Sequence, residues 1–227
     1  MNKLTSLYRT VFPKFARWPL LFVVAGNMLV YYASKLISCH FPKLNWTLPL
    51  DDMIPFFSPA IIVYVLSFVF WIVGYTLIAR ESPEVCYELL SGEMIAKLIC
   101  LFFFLAFPCT MVQPTDVGGG FTGWLTSFIY AVDNPPANLF PSIHCLASWF
   151  CFRGALRCKK LPKWWKVFSF IFAVMIFVST VLVKQHVIVD VPAGILVLEI
   201  GLFIGKKCKA GRLLAKFNVW RYKGETE

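Results

Sequence analysis

Long apolar runs alternate along the chain with short polar segments. A helix that crosses a hydrocarbon core needs roughly 17–25 mostly apolar residues. Runs approaching that length cover residues 19–38, 59–79, 94–112, 142–156, 167–183 and 191–205. The pattern predicts an all-α fold, a bundle of six transmembrane helices in a single membrane-embedded domain spanning residues 1–227. The fourth run is the shortest and contains Arg153. Pro19, Pro59 and Pro141 stand where helices would start, because the first turn has no use for the N–H that proline lacks. Pro108 falls inside the third run and predicts a kink there. The first run follows Lys3, Arg9, Lys14 and Arg17, as a secretory leader would. Its length exceeds a leader's apolar core and no small-x-small cleavage site follows, so it reads as a retained span.

The charged residues orient the bundle. Lys3, Arg9, Lys14 and Arg17 precede the first run, Arg80 follows the second, and Arg157, Lys159, Lys160, Lys163 and Lys166 follow the fourth. Lys206, Lys207, Lys209, Arg212, Lys216, Arg221 and Lys223 crowd the tail, whereas only Lys35, Lys43 and Lys184 lie near the other face. Cytoplasmic loops carry the excess of Lys and Arg, so both termini are expected in the cytoplasm. An even number of spans agrees with that parity. The longest segment on the opposite face, residues 113–141, has Gly118-Gly119-Gly120, Pro135-Pro136, Asp116 and Asp133 but no Lys or Arg. A loop of that length in a compact bundle is often functional.

Composition supports the membrane reading: 59% of the 227 residues are hydrophobic, 17% aromatic and only 15% charged. A soluble domain carries about a quarter charged residues. The net charge of +10 does not indicate nucleic acid, because the basic residues flank apolar runs and no groove-reading motif accompanies them. Cys39, Cys86, Cys100, Cys109, Cys145, Cys151, Cys158 and Cys208 show no CxxC or metal-ligand spacing. Most sit in apolar runs, where a thiol acts as a small hydrophobe. No metal or cofactor is implied.

Polar residues that hydropathy does not explain point to chemistry. His144 opens the fourth run, His186 follows the fifth, and Asp190 precedes the sixth. The chain between the histidines is long enough to cross inward, turn and return, so both reach the same face. Spacing of four puts His186 and Asp190 on one helix face. A carboxylate on one imidazole nitrogen fixes the tautomer and leaves the other nitrogen as nucleophile or base. Ionisable groups at membrane depth are by default functional candidates. Pro141-Ser142 resembles a helix start, with Ser142 a cap and the free amides an anion site. Arg153 and Glu199 lie nine residues inward from His144 and Asp190, so they are expected to pair across the bundle.

Pro141-Ser142-Ile143-His144, then Ser179, then His186-Val187-Ile188-Val189-Asp190 resembles the phosphatidic acid phosphatase type 2 superfamily. The segment from Asn134 to His144 is most similar to a branch that includes inositol-phosphorylceramide synthases and bacterial membrane phosphatases. The resemblance implies a catalytic core at 93–205, an active site on the non-cytoplasmic face, a membrane-lipid substrate, and a multi-pass protein of a bacterial cell membrane. It also implies roles. His186 is the nucleophile that forms a phosphohistidine, Asp190 orients it, and His144 protonates the leaving alcohol. Ser142, Asn138 and Lys184 are the expected phosphate-binding residues. Three cations of the superfamily pattern are replaced: Ala106 and Gln113 stand at the Lys and Arg of its first motif, and Thr180 at the Arg of its third. Lys184 is then the basic residue left near the site. The expected function is a lipid phosphatase acting on a lipid phosphate or diphosphate. The alternatives are a phosphotransferase that moves a phospho-head-group between lipids, for which one negative charge needs fewer cations, and a non-catalytic bundle.

Overall fold

A computed structural model describes residues 11–223, with side chains through residue 217. Lys3, Arg9 and the side chains of Arg221 and Lys223, counted among the basic flanks above, lie outside the described residues. The chain is mostly helical. α1 (Lys14–Ser38) leads into β1 (Leu44–Asn45), the short α2 (Pro49–Met53) and a 3-10 turn (Ser58–Ala60) that feeds α3 (Ile61–Ala79). α4 (Pro83–Ala106), β2 (Cys109–Thr110), α5 (Gly120–Asp133) and α6 (Ile143–Arg157) follow. α7 (Lys163–Leu182), α8 (Asp190–Lys207) and α9 (Ala210–Lys223) complete the order. β1 and β2 pair in parallel, Leu44 with Cys109 and Asn45 with Thr110, which ties the segment after α1 to the segment after α4.

Among the described residues, four helices are long and apolar enough to cross a membrane: α1, α3 with its lead-in turn, α4 and α7. The other two expected spans do not meet that standard. α6 has 15 residues, about 22 Å at helical rise against a hydrocarbon core of about 30 Å. α8 carries Asp190, Glu199, Lys206 and Lys207.

Several boundaries depart from the hydrophobic pattern. The third run predicts 94–112, but α4 begins at Pro83, capped by Ser82, whose hydroxyl accepts from the Val85 N–H at 3.3 Å. It ends at Ala106, so Pro108 lies beyond the helix and kinks nothing. Phe107, the residue before it, has φ −135° and ψ 64°, because a proline disfavours the helical region for its predecessor. Pro19 lies inside α1, not at its start. The helix extends upstream because Ala16 is fully buried and the Phe15 ring meets Tyr87 of α4 edge-on at 6.3 Å. The outer segment 113–141 is not all loop, since α5 occupies its middle. Along α5, Phe121, Trp124, Phe128 and Val132 form one exposed apolar stripe, the pattern of a helix lying in a membrane interface.

Small residues set the packing of α8 on α4. A methyl group at Gly201 would collide with the Gly92 carbonyl and with Ala96, and one at Gly205 would press on Gly92 itself. Such close approach is how helices associate where lipid is as apolar as leucine. α6 sits centrally, against α3, α7 and α8. The turn 80–82, the 158–162 loop and the start of α1 share one end of the bundle: Lys160 donates to the Glu81 carbonyl, Arg157 pairs with Glu88 at 3.0 Å, and Arg80 reaches the Val11 carbonyl. The segments 39–57, 107–141 and 183–189 gather at the other.

Candidate functional site

At this second end the close of α7 and the openings of α6 and α8 converge. α7 stops in a turn where the Thr180 carbonyl accepts the N–H groups of Gln185 (2.9 Å) and His186 (3.1 Å). Lys184 takes the left-handed conformation, φ 48°, that reverses the chain. α8 begins only at Asp190, so His186 lies in the preceding turn, not on a helix face. The expected contact still forms: His186 Nδ1 is 3.0 Å from Asp190 Oδ2, which also accepts the Val187 N–H at 3.1 Å. Ser142 caps α6 by accepting from the Cys145 N–H at 3.2 Å, and its own N–H donates to the Asp190 carbonyl. α8 and the start of α6 come this close because a methyl group at Gly194 would collide with the Ser142 carbonyl.

His144, in the first turn of α6, is held by aromatic rings of α3. Tyr64 stacks on it at 4.7 Å, and Trp71 and Phe68 follow at 5.2 and 6.0 Å. The His144 and His186 rings are 5.6 Å apart at 61°. Both are therefore within reach of one phosphoryl group. His144 Nε2 is shielded from solvent with no hydrogen-bond partner.

His186 stands between two cavities. One, of about 260 Å³, contains His144, Tyr64, Asn138 and Gln185 and extends to α1 and α5. The other, about 530 Å³, is polar and bounded by Asp51, Asp52, Gln113, Lys184 and His186. The loop 45–57 builds this second cavity. Asp51, only 4% exposed, accepts the Ile188 N–H at 2.7 Å through one carboxylate oxygen and the Leu48 N–H at 2.8 Å through the other.

The expected phosphate-binding residues have distinct placements. Asn138 lines the smaller cavity in a left-handed conformation, φ 58°. Its Nδ2 donates to the Tyr31 carbonyl at 2.9 Å, while its Oδ1 is buried and unpartnered. Lys184 lines the larger cavity, but its ammonium donates to the Asp51 and Ile54 carbonyls at 2.8 and 2.7 Å. Ser142 is fully buried and lines neither cavity. Thr180 and Ser179 return their hydroxyls to α7 carbonyls. Apart from Lys184, no Lys or Arg lines either cavity. Neutral amides are there in their place: the Nε2 groups of Gln113 and Gln185 are buried without partners among the described residues. No group of three or more metal-ligating side chains occurs among the described residues.

Sequence reasoning missed Asp51, Gln185, Tyr64 and Tyr31; Asp133, noted only as part of the outer segment, lines the smaller cavity with Tyr31. The Tyr31 hydroxyl donates to the Asp133 carboxylate, and Lys35 donates to the Asp133 carbonyl at 2.8 Å. Gln185, beside His186 at the end of an apolar run, was the one with a local signal. Asp51 was visible only as an acid in a loop. Deeper in the bundle, Arg153 Nε lies 2.8 Å from Glu199 Oε1, the expected pairing, although the N–H is not aligned on the oxygen. Trp149 Nε1 donates to the same carboxylate at 2.7 Å.

Comparison with family models gives one match, described as the PAP2 superfamily, over residues 44–204. The matched stretch starts at β1 and so takes in the loop that carries Asp51. Comparison with curated proteins and with solved structures gives no match.

Proposed function

Because the chain belongs to the PAP2 superfamily, which points to a phosphatase-type function, we propose that it is a lipid phosphatase of a membrane's non-cytoplasmic face. The observation that carries this reading is the pair of histidines 5.6 Å apart, one of them bonded to a buried aspartate. His186 Nε2 attacks phosphorus, while Asp190 holds Nδ1 and stabilises the cation that forms. The leaving alcohol oxygen takes its proton from His144, already fixed against Tyr64. The phosphohistidine is then attacked by water from the polar cavity. His144 accepts the proton of that water, phosphate leaves, and His186 is restored.

The bundle in this reading has six spans. α6 and α8 cross although hydropathy alone does not mark them, because α6 packs against α3, α7 and α8 and its Arg153 pairs with Glu199 of α8. Both termini are cytoplasmic, since the basic end carries the turn 80–82 and the 158–162 loop.

One observation favours transfer to a second lipid over hydrolysis. With Lys184 bound to two carbonyls and the other lining donors neutral, the site suits a phosphodiester with one negative charge better than a monoester with nearly two. The test is purified full-length protein in nanodiscs with a panel of labelled phospholipids, scored for free phosphate and for new phospholipid. Free phosphate from a monoester supports hydrolysis, and a new phospholipid supports transfer. An acid-labile phosphoryl label on the protein, lost in His186→Ala, supports the covalent step. Turnover by His186→Ala sinks it.

A further inference from the structure

A third cavity, about 460 Å³, lies between α1, α3, α4 and α6. This volume falls in the range of small-ligand sites, roughly 300–1,000 Å³. It abuts the histidine chamber, because Asn27, Met28, Phe68, Trp71 and Ile143 line both. Its mouth faces lipid: Leu21, Val24, Met28 and Ile72 on its wall are 50%, 54%, 49% and 68% exposed. α1 leans on α4 and scarcely touches α3, which leaves this side open.

The cavity is apolar except for one cluster. Glu93 (0% exposed) and Lys97 (5% exposed) pair at 3.4 Å on α4, the Tyr75 hydroxyl donates to Glu93 Oε1, and Lys97 donates to Asn27 Oδ1. Glu93 Oε2 is buried with no partner among the described residues. A lone carboxylate oxygen in this setting loses hydration and gains nothing in return. A buried pair that merely held α1 and α3 to α4 would not need it. Along α3, Phe68 is the middle one of the three rings that meet His144, and it gives the depth. Phe68 is 6.0 Å from His144, and Tyr75 lies seven residues on, roughly 10 Å further along the helix.

We propose that this cavity receives the hydrocarbon chain of the lipid substrate, and that Glu93 accepts a hydrogen bond from a hydroxyl carried on that chain roughly 10 Å below the phosphate. The assignment rests on the lipid-phosphate reading above. It makes α4 a specificity element: lipids whose chains carry a hydroxyl at that depth are selected over plain ones.

The experiment compares two lipid phosphates, identical except for one mid-chain hydroxyl, on full-length protein in nanodiscs. Wild type should favour the hydroxylated lipid by about tenfold in kcat/KM, the effect of one hydrogen bond to a charged group. In Glu93→Leu combined with Lys97→Met, which removes every acceptor at that position, the ratio should fall to about one, whatever the absolute rate. No preference in wild type, or a preference that survives in the double variant, overturns the proposal. Should the double variant fail to fold, Val24→Trp at the lipid-facing mouth is informative: it should raise KM for long-chain lipids and spare a short-chain one, and equal KM values for both would count against the cavity. Occupancy is also read without turnover. A hydroxylated lipid bearing a chain diazirine should label Leu21, Val24 and Ile72 several-fold more than its plain counterpart. That result supports the proposal even when wild type releases no phosphate, which would sink only the catalytic reading, and equal labelling by the two lipids defeats the proposal itself.

Discussion

Among single residues, Lys184 shows how the same side chain answers to two accounts. As a phosphate cation its charge matters; as a strut its hydrogen bonds to the Asp51 and Ile54 carbonyls matter. Lys184→Ala removes both and should lower kcat/KM roughly tenfold or more. Lys184→Gln keeps a donor without the charge, so near-normal rates from it indicate a strut and Ala-like rates indicate a cation. Asp51→Ala should act through the same loop. It frees the Ile188 and Leu48 N–H groups and should slow turnover about tenfold while also lowering thermal stability, because unpaired buried donors are costly. A wild-type rate in Asp51→Ala would remove the loop from the account of the site. His144→Ala should cost on the order of 10²–10⁴-fold, most on substrates with poor leaving groups, because general-acid help scales with the need for a proton. A uniform loss across leaving groups would argue against that role. The His186–Asp190 contact was legible because polar residues at membrane depth are a local signal, although a turn and not a helix face brings the two together. Asp51 was not, because its work depends on the 45–57 loop folding back across the bundle, and no periodicity records that.

At the level of elements, hydropathy marked the places of α1, α3, α4, α6, α7 and α8 but misjudged where several begin and end. The α4 boundary moved because Glu84, Glu88, Ser91 and Glu93 diluted the apolar signal, although the helix buries Ser91 and Glu93 against its neighbours. α8 is the sharper case, since its span is marked less by hydrophobicity than by the small residues Gly194, Gly201 and Gly205 that let it approach α6 and α4. Gly201→Leu should therefore separate α8 from α4 and lower the Tm by several degrees in detergent, in line with the ~2 kcal/mol or more typical of overpacked cores. An unchanged Tm would mean that the crossing tolerates a wider gap. α5 went unread because fourteen residues inside a Gly- and Pro-containing segment resemble a loop until the stripe of Phe121, Trp124, Phe128 and Val132 is seen on one face. Trp124→Asp should weaken activity on bilayer substrate while leaving a soluble short-chain phosphate ester unaffected. Equal losses on both would place the effect in folding, not in the interface.

For the whole molecule, the division of ends provides its own reporters. Cys39 and Cys208 are exposed at opposite ends, whereas the other six cysteines are buried. Cys158, at the end of α6, is further protected because burial, aided by Glu81, pushes its thiol up to about 11, leaving little thiolate at neutral pH to react. In intact cells a membrane-impermeant maleimide should therefore label Cys39 and spare Cys208 until the membrane is opened. Labelling of Cys208 alone would invert the bundle and place the histidines in the cytoplasm. The expected sidedness rests on Lys and Arg alone, whereas the sideways opening between α1 and α3 has no signal in the sequence, since it depends on where two helices fail to meet. That opening changes what concentration means for this protein. A substrate that enters laterally from the leaflet is counted per unit area, not per unit volume. Diluting it with inert lipid at constant bulk amount should slow turnover, whereas adding more vesicles of the same composition should not.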